Sequence, residues 1–260
     1  MSRFLNLHPP DPYRLFGAVL RRSRLGLTTA YDAAFEADRR CKELMLEHKW
    51  LSARGKPVGF PLFGGDADAA RFPTAEQIER CDALWAEAEA EDLQTDFQAS
   101  IVLLWADDTL RRFERGVLER PPSFARGYGP TYGENVPLTT LLRAATNTLR
   151  HVSEWDDDED LVFPYHPAVI EDKETPNEVK QAHRNIAILQ RAFGIGKHER
   201  IREPVSWRVL VAVDGQLGTA PPDFARFEGA VLAAAREIAA EAGVSVLLEA
   251  ALPRSRASQV

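Results

Sequence analysis

The sequence predicts a mainly α-helical protein, a helical bundle that carries a small C-terminal β-α-β extension. Three observations lead there. Apolar residues recur at helical spacing through the first three quarters of the chain. Glycine and proline gather in two places, residues 52–73 and 119–137, and leave long uninterrupted stretches elsewhere. Only after Glu203 does the pattern change, to a period of two over Val205, Trp207, Val209, Val211 and Val213 and again over Val244, Val246, Leu248 and Ala250.

The elements follow in order. Pro12 to Leu25 suits a short helix that Gly26 ends, and Leu27 to Leu51 a long one, with Ala33, Phe35, Leu44, Met45 and Trp50 at its apolar positions. Residues 52–73 read as a loop. Thr74 is placed to cap the next helix, with Gln77 three residues on completing a capping box, and that helix is expected to reach about Glu91. Phe97 to Leu118 forms another. Its first half, FQASIVLLWA, is apolar all round and suits burial among helices, whereas Asp107 to Arg115 is strongly charged and is expected to emerge into solvent. A long loop, residues 119–137, contains Phe124, Tyr128 and Tyr132. Thr140 to Trp155 is amphipathic. Pro176 to Phe193 is helical, with Gly194 suited to the left-handed closing position. Asp223 to Ala242 presents Phe224, Phe227, Val231, Ala235 and Ile238 on one face and stops at Gly243. Flanked by the two alternating segments, it reads as a strand–helix–strand crossover. Three segments are therefore expected: N-terminal helices and a loop over residues 1–73, a helical core over 74–203, and the extension over 204–260.

Composition narrows the function. With 260 residues, 45% apolar and 27% charged, the chain can bury a real core. A formal net charge of −7 argues against a protein built to coat nucleic acid, although local basic groups exist at Arg21, Arg22 and Arg24, at Arg111, Arg112 and Arg115, and at Lys197, Arg200 and Arg202. Cys41 and Cys81 are the only cysteines, too few for a disulfide framework or a zinc site. The opening MSRFLNLHPPDPYRLF lacks the apolar core of a secretion signal, and no apolar run approaches bilayer length. A cytoplasmic protein without a membrane partner is expected, and no cofactor or metal motif is evident.

The most informative segment is TLLRAATNTLRHVSEW. On a helix, Arg143, Asn147, Arg150, His151 and Glu154 share an arc of about a quarter turn, opposite Leu138, Leu141, Leu142, Ala145, Leu149 and Val152. Two readings compete. Every amphipathic helix has a wet face, and Arg150 with Glu154 is an ordinary i,i+4 pair. However, asparagine and histidine are poor choices for such a face, and they suit proton transfer and phosphate positioning beside arginine. The loop residues Arg126 and Tyr128 could bind nucleic acid by stacking on unpaired bases, or could simply pin the loop. His183, Arg184 and Asn185 form a second polar cluster, expected at the surface. His8, His48 and His166 are isolated. The acidic run from Glu154 to Asp160 lacks the spacing of a calcium loop.

The apolar helix 97–118 followed by ATNTLRHVSEW resembles the HEPN superfamily over roughly residues 94–193. The resemblance implies an all-helical domain, and for many members metal-independent RNA cleavage in toxin–antitoxin, antiviral-defence or RNA-processing systems. It implies a homodimer that brings two such helices around one RNA phosphate, and regulation by an antitoxin or other protein partner. Carried over, His151 moves a proton, Arg143 or Arg150 stabilises negative charge, Asn147 positions the phosphate and Glu154 supports them. The spacing departs from the family's: seven residues separate Arg143 from His151, and Ala144 follows the arginine. The resemblance therefore also admits a non-catalytic HEPN-like protein that binds a protein or nucleic-acid partner.

Overall fold

The computed structural model describes residues 11–54, 74–122, 126–155, 171, 173, 177–196, 205–215 and 221–252, without the side chains of 53, 54, 151–155 and 178. Two antiparallel-running long helices come first, α1 (Pro12–Arg54) and α2 (Ala75–Leu118). A two-stranded ladder, β1 (Thr131–Tyr132) and β2 (Val136–Pro137), leads into α3 (Leu138–Trp155). Then come α4 (Asn177–Phe193), α5 (Val205–Asp214), α6 (Phe224–Glu241) and α7 (Ser245–Ala251). The protein is mainly helical, as expected. The segment boundaries expected at residues 73 and 203 fall in stretches outside the described residues.

By contact the chain divides into two compact units, Met1–Tyr31 with Ala99–Val260, and Asp32–Gln98; α1 and α2 contribute to both. The larger unit is organised by α3, which packs on α4, α5, α6 and β2. Its apolar side supplies Leu138, Leu141, Leu142 and Ala145, all fully buried. Ala182, Ile186 and Leu189 of α4 and Phe227, Val231, Ala235 and Ile238 of α6 are also fully buried. In the same unit Phe16 of α1 packs on Phe113 of α2, with ring centroids 4.6 Å apart and the planes tilted by 39°. The smaller unit is a helical hairpin in which Leu84, Ala88 and Ala34 are fully buried. It is laced by Arg40–Glu91 at 3.1 Å, Arg80–Glu47 at 3.1 Å, and by His48 against Trp85.

Several local expectations are met for the expected reasons. Thr74 Oγ1 accepts from the Gln77 amide at 3.2 Å while Gln77 Oε1 accepts from the Thr74 amide at 2.9 Å, a reciprocal capping box. Asp223 caps α6 by accepting from the Ala225 amide. Gly194 and Gly243 close α4 and α6 in the left-handed region, at φ of 65° and 71°.

Four expectations are corrected. Gly26 does not end a helix. It is exposed, keeps helical geometry, and lies where an added Cβ would meet nothing within 4 Å, so it weakens α1 without breaking it. Nor does α2 stop at Glu91, since neither glycine nor proline occurs between residues 75 and 115. The long loop contains the β1–β2 ladder, with Thr131 opposite Pro137 and Tyr132 opposite Val136. Its tip docks on the end of α4, where the Glu134 amide donates to the Arg191 carbonyl at 3.1 Å. Gly133 (φ 48°) permits that approach, because a Cβ there would lie 2.4 Å from the carbonyl oxygens of Arg191 and Ala192.

The fourth correction is the C-terminal extension. The alternating segments are helices, α5 and α7, so the extension is helix–helix–helix and not β-α-β. In α5 the buried residues are Ser206, Val209, Leu210, Val213 and Asp214, spaced i, i+3, i+4, i+7 and i+8. The valine alternation therefore conceals a complete helical stripe. Tertiary packing against α3 and α6 decides the matter over strand propensity.

Candidate functional site

The polar side of α3 is not one surface. Arg143, near its first turn, is 2% exposed and donates through Nη2 to Glu114 Oε2 on α2; Glu114 is 1% exposed. One turn on, Thr146 is fully buried and its hydroxyl donates to Asp107 Oδ2 at 2.7 Å. Asp107 also receives Arg111 Nε at 2.9 Å. Arg111 then reaches back across to α3, where its Nη2 donates to Asn147 Oδ1 at 3.3 Å. Burial relaxes along the helix: Asn147 is half-buried and Arg150 is exposed. The side chains of His151 and Glu154 lie outside the described residues.

This geometry corrects the expectation that Asp107 to Arg115 emerges into solvent. Asp107, Arg111 and Glu114 fall at i, i+4 and i+7, one face of α2 turned toward α3, and the helix stays buried there through Thr109, Leu110 and Phe113. A signal for this was present. Ala99, Val102, Leu103, Ala106, Leu110 and Phe113 make an apolar stripe, and Asp107 and Glu114 sit in phase with it. Charge density suggests an exposed helix end; the phase of those charges says otherwise. Two carboxylates on an apolar stripe need buried cations, and α3 supplies Arg143 while α2 supplies Arg111.

Chemically, the cluster is closed at its Arg143 end. A phosphate reaching that guanidinium would have to displace Glu114 and leave a buried carboxylate without its cation, which costs about 3–5 kcal/mol. The cluster instead fixes how α2 and α3 pack, since charge-assisted hydrogen bonds demand specific geometry. Toward Arg150 it opens to water. Among the described residues no group of three or more His, Cys, Asp or Glu side chains is disposed to hold a metal ion. No helix of the described residues is long and apolar enough to cross a membrane.

The loop pair is also engaged within the fold. Tyr128 is 5% exposed, so its ring has no free face for a base, which corrects the stacking expectation. Its hydroxyl donates to Glu241 Oε2 at 2.8 Å, at the end of α6. Arg120 and Arg126 converge on the other oxygen of Glu241, at 2.5 Å and 2.6 Å. The Tyr128 hydroxyl, followed by Arg120 and Arg126, holds the Glu241 carboxyl below the usual carboxylate range. The second polar cluster departs from expectation in the same way. His183 and Asn185 are buried, at 3% and 1% exposure, and only Arg184 lies at the surface. His48 is half-buried beside Trp85, whereas His8, His166, Phe124 and most of the acidic run lie outside the described residues.

Sequence reasoning missed a further buried centre. Asp214, at the end of α5, is 1% exposed and accepts from the Asp223 amide at 3.3 Å, with Arg226 3.5 Å away. The Tyr31 hydroxyl accepts from the same amide at 3.1 Å. Burial, then hydrogen bonding to Asp214, pushes the Tyr31 phenol far above its ordinary range. This centre joins α1, α5 and α6. No family model matches the chain, and neither a curated protein nor a solved structure is significantly similar to it.

Proposed function

We propose that this chain is a non-catalytic interaction protein on a HEPN-like helical scaffold, in which the polar end of α3 is an internal anchor. The observation that carries this reading is the Arg143–Glu114 pair, both members at most 2% exposed. A guanidinium that neutralises a buried carboxylate is not free to stabilise charge developing on a substrate. The order of the helices, with the buried part of α2 followed by α3, supports the HEPN-like part of the reading. A protein partner suits an acidic chain better than a nucleic-acid backbone does.

One observation favours the ribonuclease reading. Arg150 is exposed, directly precedes His151, and shares its face with half-buried Asn147. The two readings separate on one experiment. The purified protein is incubated with single-stranded RNA in excess chelator, beside the His151→Ala variant. The expected result is no cleavage by either. Cleavage by the parent that the variant loses overturns the proposal and restores the enzyme.

A further inference from the structure

The smaller unit, residues 32–98, holds a flank that its own two helices cover only at one edge, where His48 meets Trp85. Along α2, Ile78 is 49% exposed, Trp85 45%, Leu93 73% and Phe97 60%. At 100° per residue Ile78, Trp85 and Leu93 lie within an arc of about 80°, turned away from the face where Leu84 and Ala88 are buried against α1. Asp82 and Glu89 fall inside the same arc. Four large apolar side chains on two dozen residues exceed what a solvated helix needs, and such patches mark docking surfaces.

Charge says what covers it. Residues 75–98 carry eight carboxylates against one guanidinium, Arg80, a net of −7. Residues 32–54 carry five charges of each sign. The formal net charge of the whole chain is also −7, so this one helical stretch accounts for all of it. Arg80 is itself engaged, 3.1 Å from Glu47 and 3.9 Å from Glu87. Apolar side chains interleaved with unneutralised carboxylates complement a basic amphipathic helix, whose apolar face would seat on Trp85 and Leu93 while its lysines or arginines meet Asp82 and Glu89. A second copy of the same stretch would oppose −7 with −7.

We propose that the 75–98 flank of the hairpin docks a basic amphipathic helix of a partner protein. This rests on the interaction-protein reading and gives it a surface and a partner class. The test uses the full chain and three labelled 20-residue probes followed by fluorescence anisotropy: a helical Leu/Lys amphipathic peptide, its Leu/Glu counterpart, and a Lys/Ser peptide of equal charge without an apolar face. Binding of the Leu/Lys peptide alone is expected. It should weaken at least tenfold in Trp85→Ala and in Leu93→Ser, and fall between 50 and 300 mM salt as screening shortens the reach of the exposed charges. Leu93 is 73% exposed, so circular dichroism of Leu93→Ser should show unchanged helicity and keep that variant a test of binding even if Trp85→Ala, which loses the contact with His48, is less stable. Binding that survives both substitutions, equal binding of the Lys/Ser peptide, or no binding of the Leu/Lys peptide overturns the proposal. So does a dimer, seen by light scattering, that Leu93→Ser dissociates, since the occupant is then a second copy. None of these outcomes touches the interaction-protein reading, which falls only to His151-dependent RNA cleavage.

Discussion

In the unit built around α3, Glu114 and Arg143 are almost wholly buried, and the unit's charges cancel, with 24 residues of each sign. In the hairpin of residues 32–98 the excess charge is acidic and Leu93 and Phe97 stand in water. The same two helices, α1 and α2, build both. Helical propensity and length are therefore not what separates an interior from a docking surface along these rods. The separation comes from phase. Where carboxylates fall on the apolar stripe, as Asp107 and Glu114 do, they draw partners from α2 and α3 and become internal. Where carboxylates and large apolar groups share another flank, as around Trp85, one edge of that flank touches the facing helix, through His48 on Trp85, and most of it, Leu93 included, stays exposed.

The largest expected effect tests the internal half of that contrast. Glu114→Ala leaves the Arg143 guanidinium buried without its carboxylate and should destabilise the protein by about 3–5 kcal/mol. Replacing both together, Glu114→Leu with Arg143→Met, should recover most of that loss, because a well-packed apolar pair avoids the desolvation of two ions. Chemical denaturation of the two single variants and the double variant measures it. A double variant as unstable as Glu114→Ala would mean that the ion pair holds α2 and α3 by more than charge balance.

How much of this was legible in the sequence differs between the two halves. The capping box at Thr74, the left-handed glycines at 194 and 243, and the apolar face of α6 were readable because each depends on a few neighbouring residues. The α5 helix was not, because VSWRVLVAVD satisfies a period of two and a period of 3.6 at once, and only its packing on α3 and α6 chooses between them. For the candidate site the limit was similar. Arg143, Asn147 and Arg150 do share a face of α3, as periodicity requires, yet periodicity is silent on which end of that face another helix covers. The partners Asp107, Arg111 and Glu114 lie about 30 to 40 residues upstream, a distance no local pattern spans.

Alkaline pH should produce the next effect, again in the α3 unit. Burial pushes the Tyr132 phenol up to about 12, and burial with Asp214 raises Tyr31 further. In the unfolded chain both ionise near 10. Their contribution to stability is thus complete below pH 10 and declines as pH rises from there toward the folded values, by up to about 1.4 kcal/mol per pH unit for each phenol. Ultraviolet titration should show that the phenolate increment lost in Tyr132→Phe appears together with loss of helicity, and that this variant moves the alkaline midpoint upward. If that increment appeared at pH 10–11 without unfolding, the Tyr132 ring would lie in water.

The smallest expected effect falls in the hairpin and asks whether its stability is local. Thr74→Ala removes the hydroxyl that accepts from the Gln77 amide and leaves only the return bond from the residue-74 amide to Gln77 Oε1, so it should cost about 1 kcal/mol. Gly26→Ala acts on α1 in the opposite sense: the site is exposed, open and helical, and alanine there should stabilise by about 1 kcal/mol. If α1 and α2 transmit stability along their length, the two changes should cancel in the double variant to within about 0.5 kcal/mol, since the sites share no contact. A double variant that keeps the full loss at Thr74, with the gain at Gly26 appearing in a separate melting transition, would show that each continuous helix serves two units that unfold independently.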